Sequence, residues 1–504
     1  MRFLLAAVVL IALPASAQSP CTNGFATLTA PAPGAPTQGP FACSGVDLMS
    51  YIPAGESGAL RTGGMNDVWG WTDPTTGREY ALAGTRSGTV FVDVTNPTTP
   101  QVLGKLGTQT GNSTWRDIKV YQNHAFVVSE ASGHGMQVFD LTRLRGLTAN
   151  AQRDFTADAV YTGIGKAHNL VINEATGYAY AVGANQSGRQ CNGGGLHIID
   201  IRTPLTPTFA GCFDNDGYTH DAQCVIYSGP DTDYTGRELC FNSNEDTVTI
   251  VDVTNHAAPV QISRNFYPNP VYTHQNWLTE DQGYLMVDDE VDSSSNGTRT
   301  IVMDVRDLDN AAFAFFYFGT NPVTDHNQYV RGNYSFQSNY EGGLRILDIS
   351  QVSTGAVTEN SYFDTFPQQN DSGYNGQWSN YPYFASGIVV ATDIDNGLFI
   401  LRPQVLAVDS AVPVSDELFT LSAAQPNPAS VSTTLSLRVQ TPQAVRAILV
   451  DASGRTVATL LDAVVTAEAA TTLDVPVSDL AAGVYLVRVQ GEAFTTSRQI
   501  TVTR

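Results

Sequence analysis

The chain has 504 residues, a formal net charge of −22, and 42% hydrophobic against 15% charged residues. That length allows several domains and a large core, and the composition excludes a wholly disordered or coiled-coil protein. The charge argues against nucleic acid as a partner, because phosphate binding needs clustered Lys and Arg. Only three lysines (Lys105, Lys119 and Lys166) stand beside 23 Arg, 35 Asp and 13 Glu. Such an Asp-rich, Lys-poor surface stays hydrated and repels copies of itself, which suits an exposed or saline setting.

Residues 1–17 read as a secretory signal: Met1-Arg2, an apolar run from Phe3 to Leu13, Pro14, then Ala15-Ser16-Ala17 at the expected cleavage site. The apolar run is too short to span a bilayer, and no later stretch approaches 18 uninterrupted apolar residues, so no transmembrane segment is expected. Residues 18–45 are an N-terminal extension. The chain has six cysteines, an even number that fits an oxidising compartment. The pairing expected is Cys21 with Cys43, Cys191 with Cys212, and Cys224 with Cys240. The last pair brackets a hairpin in which Ala222–Ile226 returns as Glu238–Phe241. No Cys/His spacing of the zinc type occurs.

From residue 46 to 403 the chain repeats itself. Six apolar segments close on Asp, at Asp93, Asp140, Asp200, Asp252, Asp304 and Asp348, and a seventh, Leu398–Leu401, lacks the Asp. A polar landmark precedes each: Asn66-Asp67, Arg116-Asp117, His168-Asn169, His220-Asp221, His274-Gln275, His326-Asn327 and Ser379-Asn380. Each unit reads as four short strands bounded by Gly, Pro, Asn and Asp turns. Four-stranded units repeated radially make a β-propeller, so the expected fold is all-β with seven blades. The last unit lacks a fourth strand and Val46–Ile52 lacks a blade, so this N-terminal strand is expected to close the ring. Residues 404–418 are a linker. Residues 419–504 alternate apolar and polar positions and predict a small antiparallel β-sandwich with no active-site signature.

Three groups of residues are candidates for chemistry. His168, His220, His274 and His326 fall on the landmark in four consecutive units and would share one level of a central channel. There they could hold a divalent cation, His being a common metal ligand, or an anion, or they could bond a neighbouring blade's backbone and lock blade to blade. Landmark residues Asp117 and Asp221 face the same channel. A second polar level is expected at the ends of the second strands, from Glu130, Asn185, Asn244, Glu245, Asp289, Glu290 and Glu341. The Asp closing strand three reads as a turn residue that accepts backbone N–H bonds. Asp214–Gly217 and Asp393–Gly397 are oxygen-rich like calcium loops but lack EF-hand spacing, so turns are favoured over Ca²⁺ binding, and Gly193–Gly195 reads as a loop. Trp69, Trp71, Trp115, Trp277 and Trp378 cluster near the landmarks, as inter-blade packing or as a glycan platform. No GxSxG occurs and no Ser-His-Asp set can be assembled, so catalysis has no positive support and a binding module is the primary expectation. The alternative is a metal-assisted hydrolase or lyase working in the channel.

Two resemblances add to this reading. Pro426-Asn427-Pro428, Asp451–Arg455, Leu480–Tyr485 and Thr501–Arg504 resemble the C-terminal sorting domain of the type IX secretion system of Bacteroidota-like bacteria. That resemblance implies export through the periplasm of a Gram-negative cell by the type IX machinery. Removal of residues 419–504 would follow, with release or attachment to surface lipopolysaccharide. Residues 40–403 resemble the choice-of-anchor B proteins built from LVIVD repeats, most specifically at Phe209–Phe213, Tyr218–Cys224, Phe241–Asp246, Tyr272–Gln275, Gly343–Ser350, Trp378–Tyr383 and Gly397–Pro403. This second resemblance implies a propeller held at the cell surface and carries no catalytic mechanism. The ligand stays open between glycan, peptide and small molecule.

Overall fold

The computed structural model describes residues 19–27, 39–55, 59–184, 191, 193–292, 297–406, 419–422, 424–439, 442–450, 456–466, 470–478, 480–481, 483–491 and 495–503. The expected signal (1–17), most of the 404–418 linker, Asn185 and the Asp451–Arg455 turn lie outside the described residues. Among the described residues the regular elements are strands and four short 3-10 turns. No helix there is long and apolar enough to cross a membrane. The chain divides into two compact units, residues 1–406 and 407–504.

The first unit is propeller-like. The repeat around His168 shows the pattern: Asn169–Asn173, Tyr178–Val182, Leu196–Asp200 and Thr208–Phe213 lie side by side, each antiparallel to the next. Seven sheets of this kind follow one another. Their inner strands are Met65–Thr72, Arg116–Tyr121, Asn169–Asn173, Asp221–Ile226, Thr273–Leu278, Asn327–Arg331 and Gln377–Tyr381. Each inner strand touches the next, and the last touches the first. Residues of the second and third strands are buried on both faces, Glu79–Thr85 and Gly88–Asp93 completely, because each sheet packs between two others. Apolar side chains collect accordingly into seven clusters, each between consecutive sheets. One joins the seventh sheet to the first, through Ile388, Val390, Leu398 and Ile400 against Val68, Ala81, Val90 and Val92.

Val46–Pro53 pairs antiparallel with Gly397–Pro403 and supplies the outer strand of the seventh sheet, the closure expected from the sequence. Two short strands of the N-terminal extension, Phe25–Ala26 and Phe41–Ser44, continue the sixth sheet beyond Thr358–Phe363. The pairing of third with fourth strand shifts register at the same place in six sheets, for example between Ile198 and Ile199 and between Ile250 and Val251. Such bulges increase local twist, which lets neighbouring sheets splay around an axis. Nothing in the apolar pattern announces them.

The Asp that ends strand three works as expected. Asp93, Asp140, Asp200, Asp252, Asp304 and Asp348 each accept a hydrogen bond from the backbone N–H two residues on, at 2.9–3.1 Å. Arg78, Arg202, Arg237 and Arg306 close on four of these carboxylates. All three expected disulfides form, Cys21–Cys43, Cys191–Cys212 and Cys224–Cys240. Cys224 lies directly opposite Cys240 in the Asp221–Ile226/Glu238–Ser243 hairpin.

The second unit has a three-stranded sheet (Phe419–Leu421, Ser432–Val439, Thr471–Pro476). Its other sheet has four strands, in the spatial order Thr456–Val465, Gln443–Val450, Gly483–Gln490, Thr495–Val502. Burial alternates along Ser432–Val439 and Gln443–Val450, as one-sided sheets require. Leu435, Leu437, Ala447, Val475, Val487 and Ile500 meet in one core.

Leu48 is fully buried between the sixth and seventh sheets, so Leu48→Ala is expected to cost about 2–5 kcal/mol in chemical denaturation. It should also speed amide exchange across 397–403. An unchanged midpoint would show that the N-terminal strand closes nothing.

Candidate functional site

The inner strands leave one edge facing the axis, and backbone groups on such an edge have no ladder partner. Polar side chains of the landmarks, and Gln223 beside one of them, fill that role. Asp67 accepts from the Ile118 N–H at 3.1 Å, and Asp117 from Leu170 N–H at 2.6 Å. Gln223 accepts from Leu278 N–H at 2.8 Å, and Gln275 from Gln328 N–H at 3.2 Å. Where the orphan is a carbonyl, a donor stands instead. Asn169 donates to His220 O and Asn327 to Trp378 O, both at 3.2 Å. His220 Nδ1 donates to His274 O at 3.0 Å and His326 Nδ1 to Trp378 O at 2.6 Å. Locking of sheet to sheet by these residues is therefore observed.

Apart from Gln275, the same residues line a cavity of about 290 Å³ to which all seven inner strands contribute. At the level where the inner strands begin, the four landmark imidazoles stand in a row. Ring centres lie 4.1 Å apart for His168–His220, 4.0 Å for His220–His274 and 4.6 Å for His274–His326. The row continues into Trp378, 4.8 Å from His326, one residue before the expected Ser379 landmark. Burial pushes His220 and His274 well below the usual histidine range and His326 down to about 3, with neighbouring imidazoles adding to the effect. These three rings are neutral at physiological pH.

The second polar level is only partly assembled. Glu130 accepts from His168 Nδ1 at 2.6 Å and pairs with Lys166 at 3.0 Å. The His168 bond, foremost, holds it down at about 2, against desolvation. Glu290 Oε2 lies 3.7 Å from His274 Nε2, and its Oε1 accepts from Tyr340 OH at 2.7 Å. Three others are engaged by neighbouring segments. Asn244 donates to Asp216 at 2.9 Å. Asp289 is held by Tyr267 OH and the N–H groups of Val271 and Tyr272. Glu341 anchors the following loop through Gln369, Asp371 N–H and Asn375. Glu245 pairs its backbone with Thr273. Loops between the strands claim the side chains of Asn244, Asp289 and Glu341.

Deeper in the channel, the largely covered Lys119 lies beside Asp117 at 2.6 Å and Asp67 at 3.6 Å, and sits 4.6 Å above the Trp69 ring. Burial opposes its charge, but Asp117 and Asp67 outweigh it and raise its pKa. Asp117 falls below the carboxylate range, because Lys119 and hydrogen bonds outweigh burial, whereas burial lifts Asp67 well above it. Burial, then repulsion from Asp117, pushes Asp221 up to about 7. Beyond this charged layer come Trp69, Trp277, Tyr329, Tyr381 and Tyr383, edge to face at 5.0–6.5 Å. The sequence reading names the tryptophans and misses the tyrosines, whose repeat position carries no landmark. Trp71 stacks on Tyr80 at 5.0 Å, and Trp115 is 45% exposed and does not line the cavity.

Of the expected site residues, His168, His220, His274, His326, Asp117 and Asp221 all line the cavity, and Glu130 and Glu290 contact the His row. The four imidazoles do not converge on one point. His274, His326 and Glu290 do, each offering a ligand atom within 4.8 Å of the others. The expected turns behave as turns: Asp393 caps the N–H groups of Asp395 and Asn396, and Asp216 clasps Arg264 and Thr249.

Residues 424–503 match the secretion system C-terminal sorting domain, and residues 328–361 match the LVIVD repeat. The chain thus carries a sorting tail that directs export by the type IX machinery to the cell surface or extracellular space. No curated protein matches the chain. Among solved structures it is similar to the computationally designed Ika8 protein, with TM-score 0.42, 9% identity, and 77% of this chain and 96% of that one covered. The Myceliophteria thermophila Cps50 (Swd1) beta-propeller domain has TM-score 0.40 and 13% identity, covering 64% of this chain and 92% of that one. A protein from Lactobacillus plantarum has TM-score 0.42 and 12% identity, covering 77% and 95%.

Asp221 carries a pH signature. Its carboxyl is raised from 3.8 to about 7 on folding, so its ionisation costs stability that is absent at low pH and grows as pH rises between those values. Asp221→Asn removes that cost. The variant should unfold at higher urea concentration than the parent at pH 8 and at nearly the same concentration at pH 3.5. An equal difference at both pH values would refute a buried, destabilising charge.

Proposed function

We propose that this chain is an exported binding module: a seven-bladed propeller of the choice-of-anchor B kind that takes its ligand into the central channel. The observation that carries this reading is the axial cavity of about 290 Å³, which draws walls from every inner strand. Ligand sites are concave, largely apolar and furnished with a few placed polar groups. This cavity combines an aromatic layer, a charged layer and a row of neutral imidazoles. Its size suits a sugar unit, a short peptide side chain or another small molecule. Seven sheets in cyclic contact and the outer strand Val46–Pro53 support the blade count. The LVIVD match supports the family.

In this reading residues 1–17 are the export signal, 46–403 the propeller, and 419–504 a removable β-sandwich read by the type IX machinery. Removal leaves the propeller released or joined to surface lipopolysaccharide. The two-sheet core of the second unit and its sorting-domain match support that assignment. A cation-dependent hydrolase or lyase is a second reading, favoured by the convergence of His274, His326 and Glu290. There the ion would supply Lewis acidity, and Glu130 or Asp221 would hold or move a proton.

Two experiments test the proposal. Glycan and peptide arrays probed with the mature protein should yield a ligand. Trp277→Ala should weaken its binding at least tenfold and Ile172→Trp should block it, both residues lining the cavity. Trp115→Ala serves as the unaffected control. Binding that survives Ile172→Trp would place the ligand elsewhere. Separately, deleting residues 419–504 in a host with type IX machinery should trap the protein in the periplasm, and export without this segment would refute its role.

A further inference from the structure

We infer that His274, His326 and Glu290 form a binding site for one divalent transition-metal ion, of the Zn²⁺ class, at the His end of the channel. Two imidazoles and a carboxylate are a donor set that suits zinc and its neighbours. Around an ion bound at about 2.1 Å in tetrahedral geometry, ligand atoms lie about 3.4 Å apart. His274 Nε2 and Glu290 Oε2 are already 3.7 Å apart, and the three ligand atoms all lie within 4.8 Å. Assembly needs side-chain shifts of an ångström or so.

The supporting contacts belong to a metal site as well. A ligating imidazole usually gives its other N–H to a carbonyl or carboxylate, which fixes ring and tautomer. His326 does so, its Nδ1 donating to Trp378 O at 2.6 Å, so that Nε2 carries the free lone pair. Glu290 is held in the same fashion: Oε1 takes the Tyr340 hydroxyl at 2.7 Å and Oε2 is left for the ion. Tyr340 reaches it from a left-handed backbone, φ 39°, rare for a bulky residue and worth about 1–3 kcal/mol of strain. Its carbonyl is pinned by the Gln377 and Gly343 N–H groups. Strain of this kind persists where surroundings enforce it, and here its product is a phenol aimed at one carboxylate oxygen. His168 is excluded by its bond to Glu130, and His220 lies next in the row without joining the cluster.

The site adjoins the proposed ligand channel but does not depend on it. The test is calorimetric titration of the chelator-stripped, full-length protein with Zn²⁺ and with Co²⁺, the latter also followed by its visible absorption. One ion per chain is expected. Glu290→Gln and His326→Ala should abolish binding, Tyr340→Phe should weaken it ten- to a hundredfold, and Glu130→Gln should leave it unchanged. Should His326→Ala fail to fold, the near-isosteric Glu290→Gln and Tyr340→Phe decide alone. Absence of stoichiometric binding, or binding unchanged by Glu290→Gln, overturns the inference. An array ligand held equally by stripped and Zn²⁺-loaded wild-type protein would still support the channel reading, so the two can fail separately.

Discussion

The first unit depends on satisfying the orphan edge of each inner strand. Bringing seven strand edges around one axis exposes backbone N–H and C=O groups that no ladder can pair, and leaving them buried and unpaired would cost about 1–3 kcal/mol each. In six of the seven repeats the solution is a polar side chain matched to what the neighbouring strand lacks. Asp67, Asp117, Gln223 and Gln275 stand opposite N–H groups, whereas Asn169, Asn327, His220 and His326 stand opposite carbonyls. The residue that fills this role therefore changes identity between these six repeats without changing its task.

This also resolves an apparent choice between structure and function. A carboxylate spent on a backbone N–H keeps a second oxygen, and an imidazole spent on a carbonyl keeps a second nitrogen. Each lock therefore leaves one polar atom over. Asp117 gives Oδ2 to Leu170 and turns Oδ1 to Lys119. His326 gives Nδ1 to Trp378 and keeps Nε2. A channel built to satisfy backbone groups is thereby furnished with spare donors and acceptors.

What could be read from the sequence follows sequence distance. The strand-three Asp acts two residues away, the Cys224–Cys240 pair spans one hairpin, and the landmark recurs near every 52 residues, so each leaves a local trace. The closing strand was legible by elimination, because Gly397–Pro403 needed a partner and Val46–Pro53 lacked a sheet. The second polar level was not. Whether Asp289 or Glu290 faces the axis depends on Tyr267 and Val271 from the preceding loop and on Tyr340 from the next sheet. The bulges were hidden for a related reason. They follow from the twist demanded by packing seven sheets, not from any residue type.

The opening charge balance looks different once the lysines are placed. Two of the three are buried or nearly so, Lys119 among Asp67 and Asp117, and Lys105 against Arg61 O and Ser87. Lys166 pairs with Glu130. Surface salt bridges fall to arginine, which closes bidentately on turn aspartates such as Asp73 and Asp200. A planar guanidinium fits a carboxylate fixed by backbone N–H groups, whereas a compact ammonium fits a pocket ringed by several oxygens. The scarcity of lysine is thus partly geometric. The repeat presents one oriented carboxylate after another at the sheet corners, each suited to arginine, while Lys105 and Lys119 take interior sites where a point charge meets more than one partner.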